Sequence, residues 1–261
     1  MDDNPNQEES VNLASGSFLP KHALPHVRRE AFATTQWNLI VAAGRGSENQ
    51  IKVAMEELCR TYWYPLYAHV RRRGHSKEDA EDLTQAFFAR LLEKKFFDGL
   101  SPERGRFRFF LLAALKHFLA NEWDKSQRQK RGGGVELLSL DWQDAESRYR
   151  IDPADQLSPD KLYDRAWALT LLERVMHRLQ MANVENEYFL SLKPCLTAER
   201  RAIDYPEVAE TLGISESAVR VAVHRLRKQY RELLRAEIVE TLADPAQLED
   251  ELQALYRAFS D

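Results

Sequence analysis

The most informative segment of the sequence is residues 205–226, YPEVAETLGISESAVRVAVHRL. Its apolar residues have the spacing of two short helices that meet at an angle, and Ala209 is small enough to let the two backbones approach. Gly213 supplies the left-handed residue of the turn, and Ser215 caps the second helix. Val219 is placed to fill the angle between the helices. The stretch therefore predicts a helix-turn-helix.

The second helix of this motif has an outer face that its apolar residues do not occupy. In a DNA-binding helix-turn-helix, this face enters the major groove. An ordinary helical hairpin with a solvated basic face is the alternative, but the coincidence of the motif with a cluster of bases favours DNA binding. The residues predicted to contact DNA from this face are Ser217, Arg220, Val221, His224, Arg225 and Lys228.

The charge of the chain is distributed unevenly. The net charge is −4, which taken alone speaks against binding to nucleic acid. Local patches decide where phosphate binds, however, and residues 104–131 carry eight bases against two acids. Residues 220–235 carry six bases against one acid, whereas residues 236–261 carry seven acids against Arg257 alone. Two basic patches therefore remain candidates for binding nucleic acid.

Helical periodicity covers most of the chain, and no stretch alternates as a strand would. A short helix is predicted at 36–43, and longer segments with helical spacing follow at 47–74, 76–92 and 107–131. Pro65 is expected to kink or split the first of these longer helices. A glycine run at 132–134 ends the third, and Ser158-Pro159 is placed to begin a second group of helices. The predicted fold is all-α, with two helical bundles joined by a linker.

Composition and pattern divide the chain into five segments. A flexible polar arm precedes the first bundle, a mixed acidic linker precedes the second, and an acidic helical extension ends the chain. The segments are the arm at 1–33, the first bundle at 34–131, the linker at 132–157, the second bundle at 158–235 and the extension at 236–261.

The predicted helix at 107–131 and the turn before it interleave aromatic rings with bases. This mixture suits single-stranded DNA, because cations follow the phosphates and rings stack on unpaired bases. Phe110 and Phe118 are expected in the core and are left out of the predicted surface. The residues predicted to contact single-stranded DNA are Arg106, Arg108, Trp123, Lys125, Arg128, Lys130 and Arg131.

Three segments together resemble the extracytoplasmic-function (ECF) group of bacterial sigma factors, the RNA polymerase subunits that direct the enzyme to promoters. SKEDAEDLTQAFFARLL, at 76–92, is similar to the region that docks on the core enzyme. RGRFRFFLLAALKHFLANEWDKSQRQKR, at 104–131, is similar to the regions that melt and read the downstream promoter element. YPEVAETLGISESAVRVAVHRLRKQYRELL, at 205–234, is similar to the region that reads the upstream element.

The resemblance implies that 34–131 is sigma domain two and that 158–235 is sigma domain four. It implies promoter DNA and core RNA polymerase as partners, with an anti-sigma factor as a further partner that the family allows. The core would be bound through the clamp helices of its largest subunit and through the subunit that contacts domain four. The residues assigned to docking on the clamp helices are Asp79, Asp82, Leu83 and Gln85.

This chain departs from the family pattern at several positions of its two DNA-reading helices. Ala218 stands where the recognition helix usually has Thr, and Val221 stands where Ser is common. His117 replaces an Asn that is common on the helix that melts the promoter. These differences bear on the promoter sequence that is read, and the class of protein is unaffected.

The sequence offers no site for catalysis, for a metal or for a cofactor. Its histidines are scattered, and it contains no zinc-binding spacing and no phosphate-binding loop. Cys59 and Cys195 form no CxxC pair, which is typical of a reducing compartment. No apolar run approaches the roughly 18 residues of a membrane span. We therefore expect a cytoplasmic, non-enzymatic protein that binds neither a membrane nor a small-molecule substrate.

A free-standing helix-turn-helix repressor or activator is the alternative function. Such a protein would act on duplex DNA without the polymerase core. This alternative leaves the helices at 76–92 and 107–131 without a role.

Residues 236–261 predict a final amphipathic helix. Asp244 and Pro245 have the positions of a cap and a first-turn proline, and Leu252 and Leu255 lie on the apolar side. A helix of roughly four turns is marginal alone and needs a surface to pack against. Two interpretations are open: packing on its own domain, or an acidic face near the recognition helix that competes with DNA.

Overall fold

The computed structural model describes residues 48–92, 106–126, 142–151, 157–199 and 201–260. Within these ranges the chain forms nine α-helices and no strand, which confirms the all-α prediction. The helices are α1 (Glu48–Arg72), α2 (Lys77–Leu92), α3 (Phe107–Ser126), α4 (Trp142–Ile151), α5 (Pro159–Ala182), α6 (Phe189–Leu192), α7 (Tyr205–Leu212), α8 (Glu216–Glu240) and α9 (Leu248–Arg257). Short 3₁₀ turns cover Lys193–Leu196 and Pro245–Gln247.

Helix α1 is not split at Pro65 but continues through it. An interior proline costs a helix roughly 3 kcal/mol, because its ring clashes with the preceding turn and it has no N–H to donate. Tyr62, Leu66 and Tyr67 are fully buried around it. Burying one large apolar side chain contributes about 1.5–3 kcal/mol. Packing on both sides of the proline therefore outweighs the lost hydrogen bond.

Helix α5 joins the two predicted bundles. It begins where the sequence predicts, with Pro159 in the first turn and Ser158 Oγ accepting a hydrogen bond of 3.3 Å from the backbone N–H of Lys161. Its buried side chains, Trp167 and Tyr163 among them, share one core with α1, α2 and α3. The C-terminal half of α8 adds Leu234 and others to the same core. α5 packs along α1, so the two predicted bundles are in direct contact.

The predicted linker contains a helix, α4, which the mixed sequence pattern did not indicate. Ala145 of this helix is fully buried, and Glu146 is nearly so. Helix α4 packs on α1 through polar contacts and a few small or partly buried apolar side chains, so its apolar stripe is short. The arm at 1–33, the short helix predicted at 36–43, the glycine run at 132–134 and the predicted end of the third long helix at 131 lie outside the described residues.

The final helix starts where its cap predicts, although its first turn is 3₁₀. Asp244 Oδ1 accepts a hydrogen bond of 2.9 Å from the backbone N–H of Ala246, and α9 follows directly after that turn. Leu252 and Leu255 are buried on its inner side. Among the described helices, none is long and apolar enough to cross a bilayer.

Candidate nucleic-acid interface

The predicted helix-turn-helix is formed by α7 and α8. Gly213 occupies the left-handed region, with φ 65° and ψ 29°, and ends α7. Ser215 caps α8, and its Oγ accepts a hydrogen bond of 3.3 Å from the backbone N–H of Ala218. Ala209 and Val219 are buried between the two helices. The local rules that predict the motif from sequence are therefore met by the structure.

The outer face of α8 is exposed along three turns. Every side chain that the sequence places on it lies in solvent, and these are Ser217, Arg220, Val221, His224, Arg225 and Lys228. The guanidinium carbon of Arg220 lies 4.0 Å from the ring centroid of Tyr205, and Arg220 Nη2 lies 3.4 Å from Glu216 Oε2. These contacts hold Arg220 on the surface of the motif, while 57% of its side chain stays exposed.

One arginine in the basic stretch at 220–235 stabilises the fold and does not face solvent on the outer side of α8. Arg227 donates hydrogen bonds of 2.7 Å and 2.6 Å to the backbone carbonyls of Cys195 and Ala198. Cys195 lies in the 3₁₀ turn Lys193–Leu196, and Ala198 follows that turn before α7 begins. Arg227 therefore ties α8 to the preceding turn, and its basic character in the sequence does not indicate contact with DNA.

The residues predicted to contact single-stranded DNA fall into three groups in the structure. Arg106 and Arg108 lie at the start of α3, with side chains that are 19% and 4% exposed. Trp123 and Lys125 belong to the last two turns of α3, and the structure describes their backbone only. Arg128, Lys130 and Arg131 lie outside the described residues.

Arg108 is enclosed by protein on every side. Its Nη1 donates to Asp164 Oδ1, and its Nε donates a hydrogen bond of 2.6 Å to Glu251 Oε1. The ring centroids of Phe109 and Trp167 lie 4.1 Å and 4.6 Å from its guanidinium carbon. Burial raises the pKa of Asp164, and the charge of Arg108 opposes that shift. For Arg108 to contact DNA, as predicted, this arrangement must open.

The predicted docking surface lies on α2. Asp79 and Asp82 are exposed, while Leu83 and Gln85 are half-buried. Asp79 also belongs to the cap of the helix, because its backbone N–H donates a hydrogen bond of 3.0 Å to Ser76 Oγ. The four side chains lie within two turns, with the two carboxylates in solvent and Leu83 packed partly against the core.

A protein-family model described as ECF sigma factor matches residues 47–236 of the chain. The chain belongs to the ECF sigma factor family. It is therefore an RNA polymerase sigma factor, a regulatory subunit that directs promoter-specific initiation of transcription. Its partners are the polymerase core and promoter DNA. This membership disfavours the alternative of a free-standing repressor or activator.

Two curated relatives are similar over much of the sigma factor. The chain is 25% identical over 248 residues to the ECF RNA polymerase sigma factor SigE of Mycolicibacterium smegmatis, covering 90% of this chain and 86% of that protein. It is 27% identical over 192 residues to the ECF RNA polymerase sigma factor SigX of Bacillus subtilis, covering 69% of this chain and 84% of that protein. No solved structure gives a significant match.

Helix α4 of the sigma factor is fixed to domain two through Glu146. Tyr67 donates a hydrogen bond of 2.6 Å to Glu146 Oε2, and Arg71 donates two of 3.1 Å to the carboxylate. Burial acts to raise the pKa of Glu146, but the hydrogen bonds from Arg71 and Tyr67 outweigh it and hold the pKa at about 2. The carboxylate is therefore ionised at neutral pH and is fully paired.

The cysteines and the acidic clusters of the sigma factor offer little chemistry. Burial raises the pKa of Cys59 to about 12, with the charge of Glu56 adding to the shift, and burial also raises the pKa of Cys195. Both thiols therefore stay protonated and unreactive. Across the described ranges, no three His, Cys, Asp or Glu side chains come together as metal ligands could.

Three acids that organise these surfaces were not predicted from the sequence. Glu146 and Asp164 have the appearance of solvated positions, because the arginines that pair with them are far away along the chain. Glu251 did carry a sequence signal. It falls between Leu248 and Leu255 at helical spacing, so an acid stands within the apolar side of α9.

Proposed function

We propose that this sigma factor uses three surfaces, one for each task of promoter-specific initiation. The outer face of α8 reads the upstream element, the start and end of α3 read the melted downstream element, and the outer side of α2 docks on the clamp helices of the core. The observation that carries the proposal is the exposed face of α8, with all six predicted side chains in solvent. Because polymerase and chromosome are the partners, we place this work in the cytoplasm.

The upstream surface is supported by how α8 is packed. Val219, Ala222, Val223 and Leu226 are buried on its inner side, which fixes the rotation of the helix about its own axis. A reading helix needs this restraint, because a good bidentate contact to a base edge, worth about 1–3 kcal/mol, tolerates little misplacement. Arg220 is held over Tyr205 in addition. Both features favour base reading over loose attraction to phosphate.

The proposed downstream surface is supported by an aromatic ring that lies between two arginine side chains. Phe109 is 47% exposed, so its ring is open to solvent beside Arg106 and Arg108. The guanidinium carbons of Arg106 and Arg108 lie 5.6 Å and 4.1 Å from its ring centroid. A ring flanked by cations can stack on an unpaired base while the cations follow the phosphates.

Docking on the core is tested by reversing charge on α2. We expect Asp82→Lys combined with Gln85→Ala to weaken binding to core polymerase at least roughly tenfold, because it loses electrostatic complementarity and a polar contact. Both side chains reach the surface, so the fold should persist. The measurement is co-migration with purified core on size exclusion, followed by titration with a labelled chain.

Asp144→Lys is the matched control for that experiment, since it reverses an exposed carboxylate on α4, outside both segments that are expected to bind the core. It should bind core as the parent does. Unchanged core binding by the Asp82 and Gln85 double variant would remove α2 from the docking surface.

A further inference from the structure

The C-terminal extension buries one acid against the start of α3. Glu251 of α9 is 1% exposed. Its Oε2 lies 2.8 Å from Nε of Arg106, and its Oε1 accepts a hydrogen bond of 2.6 Å from Nε of Arg108. A buried charge is tolerated only when it is paired, so these contacts place α9 at one position on domain two.

Helix α5 contacts Arg108 on the side opposite to α9. Asp164 accepts a hydrogen bond from Arg108, and the ring of Trp167 lies against the guanidinium. Two carboxylates therefore face the two guanidiniums of Arg106 and Arg108. While α9 is in place, these carboxylates occupy Arg106 and Arg108, and a phosphate has to displace Glu251 to pair with them. Lys161 and Arg257 line the pocket beside them, so the surrounding surface still attracts phosphate.

Helix α9 is held in place by contacts of its own. Leu252 and Leu255 are buried in the shared core, and Glu249 Oε1 lies 2.5 Å from Nη2 of Arg235 on α8. The match to the family model ends at residue 236, and α9 begins at Leu248. The cover over Arg106 and Arg108 therefore lies outside the segment that the family model matches.

The acidic extension does not lie on the recognition helix face, which was one of the two interpretations open from the sequence. Its ion pair with α8 is at Arg235, and at 1.5 Å per residue this is roughly 22 Å along the helix from Arg220. Packing on its own domain, the other interpretation, is correct for Leu252 and Leu255. The buried acid, however, contacts domain two.

We infer that α9 is an autoinhibitory element: Glu251 covers Arg106 and Arg108 in the free sigma factor and is displaced when the downstream promoter strand binds. The inference rests on the proposed function, in which these arginines contact DNA. A phosphate offers arginine the same charged oxygens as a carboxylate, so a DNA strand can replace Glu251 without leaving a guanidinium unpaired.

Removing the charge of Glu251 tests the inference in the full-length chain. The probe is a short fluorescein-labelled single-stranded DNA of mixed sequence, and the readout is its anisotropy. We expect Glu251→Gln to raise the affinity by roughly tenfold, because a charge-assisted hydrogen bond no longer competes with the phosphates. Glu249→Gln is the matched control, since it removes the same charge from the same helix but contacts Arg235. Equal affinities for the two variants overturn the inference.

A second measurement needs no variant and therefore does not depend on whether Glu251→Gln folds. Amide hydrogen exchange is followed in the unaltered chain before and after saturation with the same DNA. We expect α9 to lose protection while the C-terminal half of α8 keeps it. Unchanged protection of α9 at saturation overturns the inference.

Arg106→Ala in both backgrounds separates failure of the inference from failure of the proposed function. If autoinhibition operates, Arg106→Ala cancels the gain that Glu251→Gln produces, as expected for coupled residues. If Arg106→Ala weakens DNA binding while Glu251→Gln changes nothing, the autoinhibition by α9 is refuted, and the proposed contact between Arg106 and DNA is retained. If Arg106→Ala changes nothing in either background, the reading surface is wrong as well.

Discussion

Arg220 and Arg108 belong to the two basic patches of the sequence, but the folded chain places them in opposite surroundings. Arg220 is 57% exposed and rests on one ring, whereas Arg108 is 4% exposed between two carboxylates and two rings. A charged side chain on a solvated face can reach DNA directly. One that is buried and paired needs a competing partner before it can leave.

Substituting the exposed arginines of α8 should change promoter choice without changing assembly. We expect Arg220→Ala and Arg225→Ala each to lower use of promoters that depend on the upstream element, with about 1–3 kcal/mol lost per base contact. The readout is binding of the holoenzyme to duplex promoter DNA. Arg60→Ala, an exposed arginine on α1, is the matched control and should bind as the parent does. Unchanged promoter preference in both α8 variants would remove this face from the reading surface.

Local rules were enough to predict single residues wherever the cause is local. Gly213, Ser215 and Ser158 have the turn and cap geometries that their sequence neighbours require. The burial of Arg108 could not be predicted, because its partner Glu251 lies 143 residues away along the chain. Spacing on a single helix carries no information about such a pair.

At the scale of elements, α4 illustrates the limit of periodicity. Glu146 makes polar contacts with a phenol and a guanidinium of α1, and the apolar contacts are limited to small or partly buried side chains such as Ala145 and Tyr149. The apolar stripe of this helix is therefore short. Helices α1 and α2 were predicted with nearly correct bounds, and α8 was predicted with its correct start. The predicted alternative that Pro65 splits α1 was wrong for the converse reason, because the packing that keeps the helix continuous comes from other elements. A kink at Pro65 stays a prediction.

The contact between α4 and α1 should be measurable as a pH-dependent contribution to stability. Glu146 has a pKa of about 2 in the folded chain against 4.5 for an ordinary glutamate. Since the folded pKa is the lower one, the stabilisation is present above about pH 4.5 and is lost as the pH falls towards 2. We expect Glu146→Gln to lower the unfolding free energy at neutral pH, and the difference from the parent to shrink below about pH 4.5.

Denaturant unfolding of parent and variant at about pH 7 and about pH 3.5 checks this expectation. Glu173→Gln is a suitable control. Glu173 of α5 pairs with Arg148 of α4, the helix that carries Glu146, but the Glu173 side chain is 59% exposed. Exposed pairs contribute about 0–1 kcal/mol, so this variant should change little at either pH. A Glu146→Gln deficit that stays constant with pH would show that the carboxylate charge is not the cause.

At the scale of the whole molecule, one acid joins three helices. Glu237 of α8 is 4% exposed and accepts hydrogen bonds of 2.6 Å and 2.5 Å from Arg174 and Arg178 of α5. Arg174 also donates a hydrogen bond of 2.7 Å to Thr61 Oγ1 on α1. Helices α5 and α8 are thereby fixed to α1 through polar contacts as well as through the shared core.

Breaking this junction should cost far more than breaking a surface pair. We expect Glu237→Ala to lower the unfolding free energy by about 3 kcal/mol, the lower end of the range for a buried pair, because both arginines stay partly exposed. The loss of unfolding free energy is measured by denaturant unfolding, and it can be compared between variants as long as the m-value is unchanged. Glu232→Ala, which removes an exposed acid from the same helix, should cost about 0–1 kcal/mol. A similar small loss for Glu237→Ala would mean that the junction adds little stability.

The sigma factor activity itself is tested most directly by transcription in a defined system. Purified core polymerase is supplied with genomic DNA fragments of the host, and the start sites of the transcripts are mapped with and without this chain. Discrete new start sites that share an upstream and a downstream element are the expected result, and the Asp82 and Gln85 double variant should abolish them. An unchanged set of start sites in the presence of folded, full-length chain would contradict its role as a promoter-directing subunit.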